Sequence, residues 1–139
     1  MNRILLWLCV AFWAGVATWA ATIFYLSSLS GPQLNDMAPI LLWDKFLHFI
    51  AFVAGGVLLA GALRFTVNWS WPMVLIVTVV ALSLFGAADE YHQLHTPGRT
   101  GGDLDDWVAD TLGACTGAAI FCLTYVRYPR KARSAPATN

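Results

Sequence analysis

Residues 89–110 read DEYHQLHTPGRTGGDLDDWVAD and contain six of the chain's eight acidic residues, two of its three histidines and one arginine. The sequence on either side of this stretch is almost entirely apolar. An unpaired charge in apolar surroundings is costly, so these side chains must either face water or compensate one another. The stretch therefore separates two apolar regions and marks the place where a site is to be expected.

The composition is that of a small integral membrane protein. The chain has 139 residues, of which 58% are hydrophobic and 12% charged, whereas a soluble domain carries about 25% charged residues. Such a composition favours membrane spans over a water-soluble core. The cysteines all lie in apolar segments, which is typical of small buried hydrophobic residues and not of a disulfide framework; they are Cys9, Cys115 and Cys122.

The first apolar run, residues 4–26, contains no charge and is long enough to cross a hydrocarbon core of about 30 Å. A cleaved signal peptide is the alternative, with Arg3 as its basic start, but the run exceeds the usual apolar region of about 7–15 residues. Serine, glycine and proline at 27–32 end this helix, and residues 31–43 are expected to form a connection.

Three more spans follow from the same pattern. We expect them at about residues 44–63, 72–88 and 106–125, with a tight turn at 65–71 between the second and the third. The predicted fold class is all-α, a four-helix transmembrane bundle forming one domain over residues 1–126. Residues 127–139 are predicted to be a basic, disordered cytoplasmic tail.

The distribution of charge predicts the orientation. With four spans, the termini and the turn at Arg64 share one side, which carries six basic residues and no acid. The other side carries all eight acids with Lys45 and Arg99. Basic residues concentrate on the cytoplasmic side of membrane proteins, so both termini are predicted to be cytoplasmic and the polar stretch to lie at the outer face of the cytoplasmic membrane.

Polar residues from all four spans fall at the same predicted depth near the outer face. Spacings of three and four residues also place several of them on one helix face, as with Asp44 and His48. Gly113 and Gly117 continue the face of the last span and would let another helix approach. Ionisable groups at that depth usually face a cavity and pair, and this group comprises Ser27, Ser28, Asp44, Lys45, His48, Asp89, Glu90, Gln93, Asp106 and Asp110.

Some of the polar residues allow a structural interpretation as well. His92 and His95, like Asp89 and Glu90, could be solvated residues of a loop. Asp103 and Asp105 could be solvated or could cap the last helix, whose dipole favours acids near its N-terminus. Arg99 could balance the neighbouring acids, or its guanidinium could grip a phosphate in bidentate fashion.

From residue 24 to residue 117 the chain resembles the VanZ-like family of small bacterial membrane proteins. The resemblance rests on DKFLHF at 44–49, DEYHQ at 89–93, PGR at 97–99 and DWVADTLG at 106–113. Asp110 stands where many relatives have asparagine, and the segment between Arg99 and Asp106 is one residue longer than is usual. The resemblance implies that the site consists of Lys45, His48, Asp89, Glu90, Gln93, Arg99, Asp106 and Asp110.

The family takes its name from a protein associated with teicoplanin resistance and is remotely similar to membrane enzymes such as phosphatidylserine synthases. The leading hypothesis is an intramembrane hydrolase or transferase that acts at the outer leaflet on the phosphate-bearing head group of a phospholipid or polyprenyl-linked envelope precursor. No nucleic-acid partner is expected. Arg99 and Lys45 are expected to bind the phosphate and Gln93 the rest of the head group. His48 or Glu90 is expected to transfer the proton. Asp89, Asp106 and Asp110 would orient these groups or, together with Glu90, bind a divalent metal.

Two other functions fit parts of the sequence. The same polar group could bind or mask an envelope component without catalysis and so confer glycopeptide resistance. The pattern Gly102-x-x-x-Asp106-x-x-x-Asp110 also matches half of the signature of metal-dependent phosphatidyltransferases. The other half of that signature is missing, and the charge distribution puts the pattern on the wrong side for a cytosolic nucleotide.

Overall fold

The computed structural model describes residues 3–37 and 44–126, and this part of the chain forms five helices. Four of them are long and apolar enough to cross a membrane, which confirms the predicted all-α, four-span fold. The predicted tail at 127–139 and the end of the first connection at 38–43 lie outside the described residues. The helices are α1 (Arg3–Ser28), α2 (Gly31–Met37), α3 (Asp44–Thr66), α4 (Trp71–Gln93) and α5 (Leu104–Val126).

Helices α3 and α5 form the central pair, and glycines bring their backbones together. A Cβ atom added at Gly113 would meet the carbonyl oxygen of Phe49, and one at Gly117 would meet the carbonyl oxygen of Val53. A Cβ added at Gly56 of α3 would lie 2.5 Å from the carbonyl oxygen of Ala114. The small residues of the last span therefore admit a neighbouring helix, as predicted. As a result, the acidic face of α5 lies directly against α3.

The apolar core lies in two clusters along this pair. One cluster contains Phe52, Leu59 and Leu82 with the rings of Trp19 and Phe85 packed against it. The second cluster comprises Ala60, Phe65, Val74, Ala118, Phe121 and Cys122. The three cysteines are free, so none belongs to a disulfide, but the expectation that they are buried holds only for Cys122; Cys9 is partly buried and Cys115 is exposed.

The outer surface of the described spans is strongly apolar. Leu84 of α4 and Leu123 of α5, for example, are 67% and 69% exposed. Helix α1 is the least enclosed span, and the residue that it buries is Ser27. Exposed apolar side chains around all four spans suit a bilayer, whose hydrocarbon interior is as apolar as they are.

Helix α2 corrects the expectation that residues 31–43 form only a connection. The backbone N–H and the hydroxyl of Ser30 both donate to Gln33 Oε1, at 2.9 and 2.8 Å. A serine followed three residues later by glutamine is the capping box that begins a helix. Pro32 suits the first turn, where its missing N–H removes no hydrogen bond. The sequence contained this signal, but the proline in it suggested a break.

The polar stretch begins inside a helix. The third span was expected to end near Ala88, but α4 continues to Gln93, so Asp89, Glu90 and Gln93 lie on its last turn and a half. Helix α5 begins at Leu104, two residues before the predicted start. Asp103 stabilises this start, because its carboxylate Oδ1 accepts the backbone N–H of Asp105 at 2.8 Å.

Candidate functional site

The connection between α4 and α5 places Arg99 against the bundle. Gly98 has a φ of 72°, a left-handed conformation that glycine adopts readily. The N–H of Gly31 donates to the carbonyl oxygen of Pro97 at 3.1 Å, and a Cβ at Gly31 would meet the carbonyl oxygen of Gly98. The start of α2 therefore packs directly on the Pro97–Arg99 turn and fixes where Arg99 begins.

A buried chain of hydrogen bonds orients the arginine. The Ser27 hydroxyl and the Gln93 amide both donate to Asp89 Oδ2, at 2.8 and 2.9 Å. One terminal nitrogen of Arg99 donates a hydrogen bond to the side-chain oxygen of Gln93 at 2.7 Å. The other terminal nitrogen of Arg99 is buried and has no hydrogen-bond partner. A guanidinium held in this way still has a donor for an anionic ligand.

A second network joins α3 to the start of α5. Lys45 Nζ lies 2.9 Å from Asp106 Oδ1 and 3.1 Å from Asp103 Oδ2. The hydrogen bond from Lys45 lowers the pKa of the Asp103 carboxyl below its usual value. Lys45 is thus engaged by two carboxylates.

His48 is held from α5 rather than from its own helix. Its Nδ1 lies 3.0 Å from Oδ1 of Asp110, which has no exposed surface. The sequence placed Asp44, four residues before His48 on the same helix face, within reach of the ring. The close approach of α3 and α5 instead brings Asp110 to the ring. Space for Asp110 comes from Gly86, where an added Cβ would lie 2.7 Å from Asp110 Oδ2.

A cavity of about 140 Å³ opens between α1, α2, α3 and α4 beside these networks. One part of its wall is apolar and contains Ile23, Leu26, Leu34, Leu47 and Ala51. The remainder is polar and contains Ser27, Asp44, His48, Asp89, Gln93 and Arg99. Such a wall suits an amphiphile, whose charged group would meet Arg99 and whose apolar part would lie against the leucines.

The eight residues implied by the family resemblance divide into two groups. His48, Asp89, Gln93 and Arg99 line the cavity, whereas Lys45, Glu90, Asp106 and Asp110 do not.

Glu90 lines a separate cleft next to Asp103 and Trp107. Its Oε2 accepts the Asp103 N–H at 2.9 Å, and its Oε1 is buried without a partner. Asp106 and Asp110 support Lys45 and His48 from α5.

The described residues also contain a group with the spacing of metal ligands, formed by Asp44, His48 and Asp106. One ligand atom from each lies within 4.8 Å of the others. The metal ligands suggested by the sequence were Asp89, Glu90, Asp106 and Asp110, so the two sets share Asp106. The sequence placed Asp44 in the polar group near the outer face, one helical turn before His48, but not among the suggested metal ligands.

The two other histidines lie outside the cavity. His92 Nε2 is 3.1 Å from the Ser28 hydroxyl, and its ring stacks on Phe24 with centroids 4.8 Å apart. His92 therefore ties α4 to α1. His95 is exposed and its Nδ1 contacts the carbonyl oxygen of Tyr91 at 3.0 Å, which agrees with its interpretation as a solvated residue.

The family model described as VanZ/LLP1 matches residues 4–125, which include all four spans and both networks. The chain belongs to the VanZ/LLP1 family. The resemblance noted in the sequence motifs is thereby confirmed for the whole helical region. No curated protein and no solved structure matches the chain, so the arrangement of this VanZ/LLP1 site must be interpreted from its own geometry.

Proposed function

We propose that this VanZ/LLP1 protein acts on the phosphate-bearing head group of a phospholipid or polyprenyl-linked envelope precursor, by hydrolysis or head-group transfer. We place the reaction at the outer leaflet of the bacterial cytoplasmic membrane. This orientation is supported by the six-to-zero excess of basic residues on the side that contains the termini.

The observation that carries the proposal is that Arg99 lines a half-apolar cavity and keeps one buried terminal nitrogen without a hydrogen-bond partner. Leaving a buried donor unsatisfied costs about 1–3 kcal/mol, so a ligand that accepts it gains that amount. Two oxygens of a phosphate can accept two parallel hydrogen bonds from one guanidinium. The apolar wall formed by Leu26, Leu34 and Leu47 favours a phosphate that carries an acyl or prenyl chain.

The residues around the cavity suit a displacement at phosphorus. In hydrolysis, a water oxygen bonds to phosphorus and gives up a proton, the P–O bond to the leaving group breaks, and the leaving oxygen takes a proton. His48, which Asp110 holds in place, would move that proton, and Arg99 would stabilise the charge that develops on the phosphate. Lys45 is engaged by Asp103 and Asp106, and Glu90 lies in the neighbouring cleft, so we assign both to support of the site.

The test is lipid turnover by the purified protein in vesicles of bacterial polar lipids with a polyprenyl phosphate added. Arg99→Lys keeps the positive charge but loses the planar fork, and His48→Gln cannot shuttle a proton near neutral pH. We expect each variant to lower the rate of product formation by about 100- to 10,000-fold. His95→Gln changes an exposed histidine outside the cavity and is expected to stay within about twofold of the wild type.

The same assay separates catalysis from binding or masking. A protein that only binds would form no lipid product in any variant, and Arg99→Lys would weaken lipid binding in graded fashion. That result would overturn the proposal and favour the non-catalytic function. Equal losses in His48→Gln and His95→Gln would also contradict it, because the cavity would then have no special role.

A further inference from the structure

We propose that Asp44, His48 and Asp106 bind a divalent cation beside the cavity. The cation would face the same phosphate as Arg99. As a ligand through Nε2, His48 could not also move the proton, so in the metal-loaded protein that role would pass to a water held beside the phosphate. These two statements rest on the function proposed above. Asp44 and His48 line the cavity, as Arg99 does, whereas Asp106 reaches the group from the start of α5. The cation site therefore joins α3 to α5 at the place where the substrate would bind.

The spacing of the three ligands fits a cation after a small adjustment. Their ligand atoms lie within 4.8 Å of one another, and ligands about 2.1 Å from one metal ion are roughly 3–3.5 Å apart. Asp44 is exposed on the first turn of α3 and can rotate to close that difference. Lys45 occupies only one of the two oxygens of Asp106, so a carboxylate oxygen remains for the metal.

The orientation of His48 supports the assignment. A carboxylate only accepts hydrogen bonds, so the contact of His48 Nδ1 with Asp110 places the proton on Nδ1. The lone pair of the neutral ring then lies on Nε2, which is available to a ligand. Histidines that bind metals usually donate their other ring N–H to a carboxylate in this way. Asp110 is fully buried and lies outside the ligand group, so it can serve this purpose without contacting the metal.

The balance of buried charge also points to a cation. Asp89, Glu90, Asp106 and Asp110 are each at least nine-tenths buried. Lys45 and Arg99 are the side chains of permanent positive charge at this end of the described helices, and His48 adds a charge only when it is protonated. Glu90 keeps one buried oxygen without a partner. Buried carboxylates in such excess need compensation by a cation or by protons.

The donor set indicates which cations to expect. Imidazole favours zinc and other transition metals, and carboxylates favour manganese, magnesium and calcium, so a mixed set suits Mn²⁺ or Zn²⁺. With three protein ligands, a position remains open for a water or a phosphate oxygen. A metal there would lower the repulsion between the phosphate and Asp44 or Asp89, which share its cavity.

The test is metal binding by the purified full-length protein in detergent without added lipid, after removal of metals by EDTA and then of the EDTA itself. Binding of Mn²⁺ is read from the loss of the free-ion electron paramagnetic resonance signal, and Zn²⁺ from competition with Mn²⁺. We expect one Mn²⁺ or Zn²⁺ per chain, and at least a tenfold loss of affinity in Asp44→Asn and in His48→Gln. Asp105→Asn is the matched control, because it too removes an exposed acid from the first turn of a helix.

The outcomes separate this inference from the proposed function. Absence of binding of either metal to the wild type, or equal losses in Asp44→Asn and Asp105→Asn, would overturn the cation site. If His48→Gln fails to fold, Asp44→Asn decides the matter, because Asp44 is exposed. Lipid turnover that persists in the metal-free protein would also overturn the cation site while leaving the proposed function intact.

Discussion

Asp110 shows how a single buried residue connects the fold to the chemistry. It has no exposed surface, holds His48 with one oxygen and faces Gly86 with the other, which has no hydrogen-bond partner. A buried carboxylate with an unpaired oxygen is costly. That cost is understandable if the position of the His48 ring matters more to this protein than the stability that an apolar residue would provide.

The first prediction compares two changes of this residue. Asp110→Asn keeps an oxygen that can accept the Nδ1 proton of His48, whereas Asp110→Leu removes the acceptor at similar size. We expect Asp110→Asn to retain most of the lipid turnover, in keeping with the asparagine of many relatives. We expect Asp110→Leu to lose about 10- to 100-fold, as is usual when the partner of a ligating histidine is removed.

Turnover and Mn²⁺ affinity measured on both variants test this role, with thermal unfolding in detergent as the control for folding. Complete loss of turnover in a folded Asp110→Asn protein would contradict it. The carboxylate would then act directly, as a base or as a metal ligand.

Among the helices, the α3–α5 pair determines the geometry of the site. The networks that hold Lys45 and His48 both cross this interface. The backbones approach closely because Gly113 and Gly117 present no side chain to α3. If the helices moved apart by the thickness of a methyl group, both networks would lengthen.

The second prediction uses this dependence. Gly→Ala in an open helix stabilises a protein by about 0.5–1 kcal/mol, but at Gly113 the new methyl would meet the carbonyl oxygen of Phe49. We expect Gly113→Ala to destabilise the protein by about 1–3 kcal/mol, the usual cost of overpacking, and to reduce lipid turnover. Thermal and denaturant unfolding in detergent measure the first effect.

Gly15→Ala is the matched control for this change. Its methyl would meet only the end of the flexible Leu58 side chain, at 2.7 Å, which can move aside. We expect Gly15→Ala to be neutral or stabilising. Equal destabilisation by Gly15→Ala and Gly113→Ala would show that the α3–α5 contact is not special.

The spans themselves could be predicted from the sequence because length and hydropathy determine whether a helix can cross a membrane. The small-residue face of α5 could also be predicted, because glycines four residues apart lie on the same side of a helix. The choice of partners was not visible. His48 had charged neighbours on its own helix, and only the crossing of α3 and α5 shows that Asp110 takes their place. Helix α2 was overlooked because Pro32 suggested a break, whereas proline is well tolerated in a first helical turn.

In the molecule as a whole, the charged networks and the apolar core occupy different parts of the length of the helices. The polar networks lie where α3 and α5 begin and where α4 ends, and the apolar clusters occupy the remainder of the bundle. A helix of 23 residues such as α4 is about 34 Å long at 1.5 Å per residue. The connection before α4 and the connection after it therefore lie about one membrane thickness apart.

The third prediction tests which of these connections faces the cytoplasm. The native cysteines are first replaced by alanine, and single cysteines are then introduced at Ser70, before α4, and at Thr100, after it; both positions are exposed. From the basic excess on the side of Arg64, we expect Thr100→Cys to react with a membrane-impermeant thiol reagent in intact spheroplasts. Ser70→Cys should react only after the membrane is permeabilised.

The comparison of the two positions makes the result independent of reagent quality, because both sites must react in permeabilised membranes. Reaction of both from outside would contradict a span between them. If only Ser70→Cys reacts from outside, the protein has the opposite orientation and the Arg99 cavity lies at the inner leaflet. The phosphate that binds Arg99 would then have to belong to a lipid of the cytoplasmic leaflet. In vesicles with substrate confined to one leaflet, turnover would then occur only when the substrate is in the leaflet on the side of the termini.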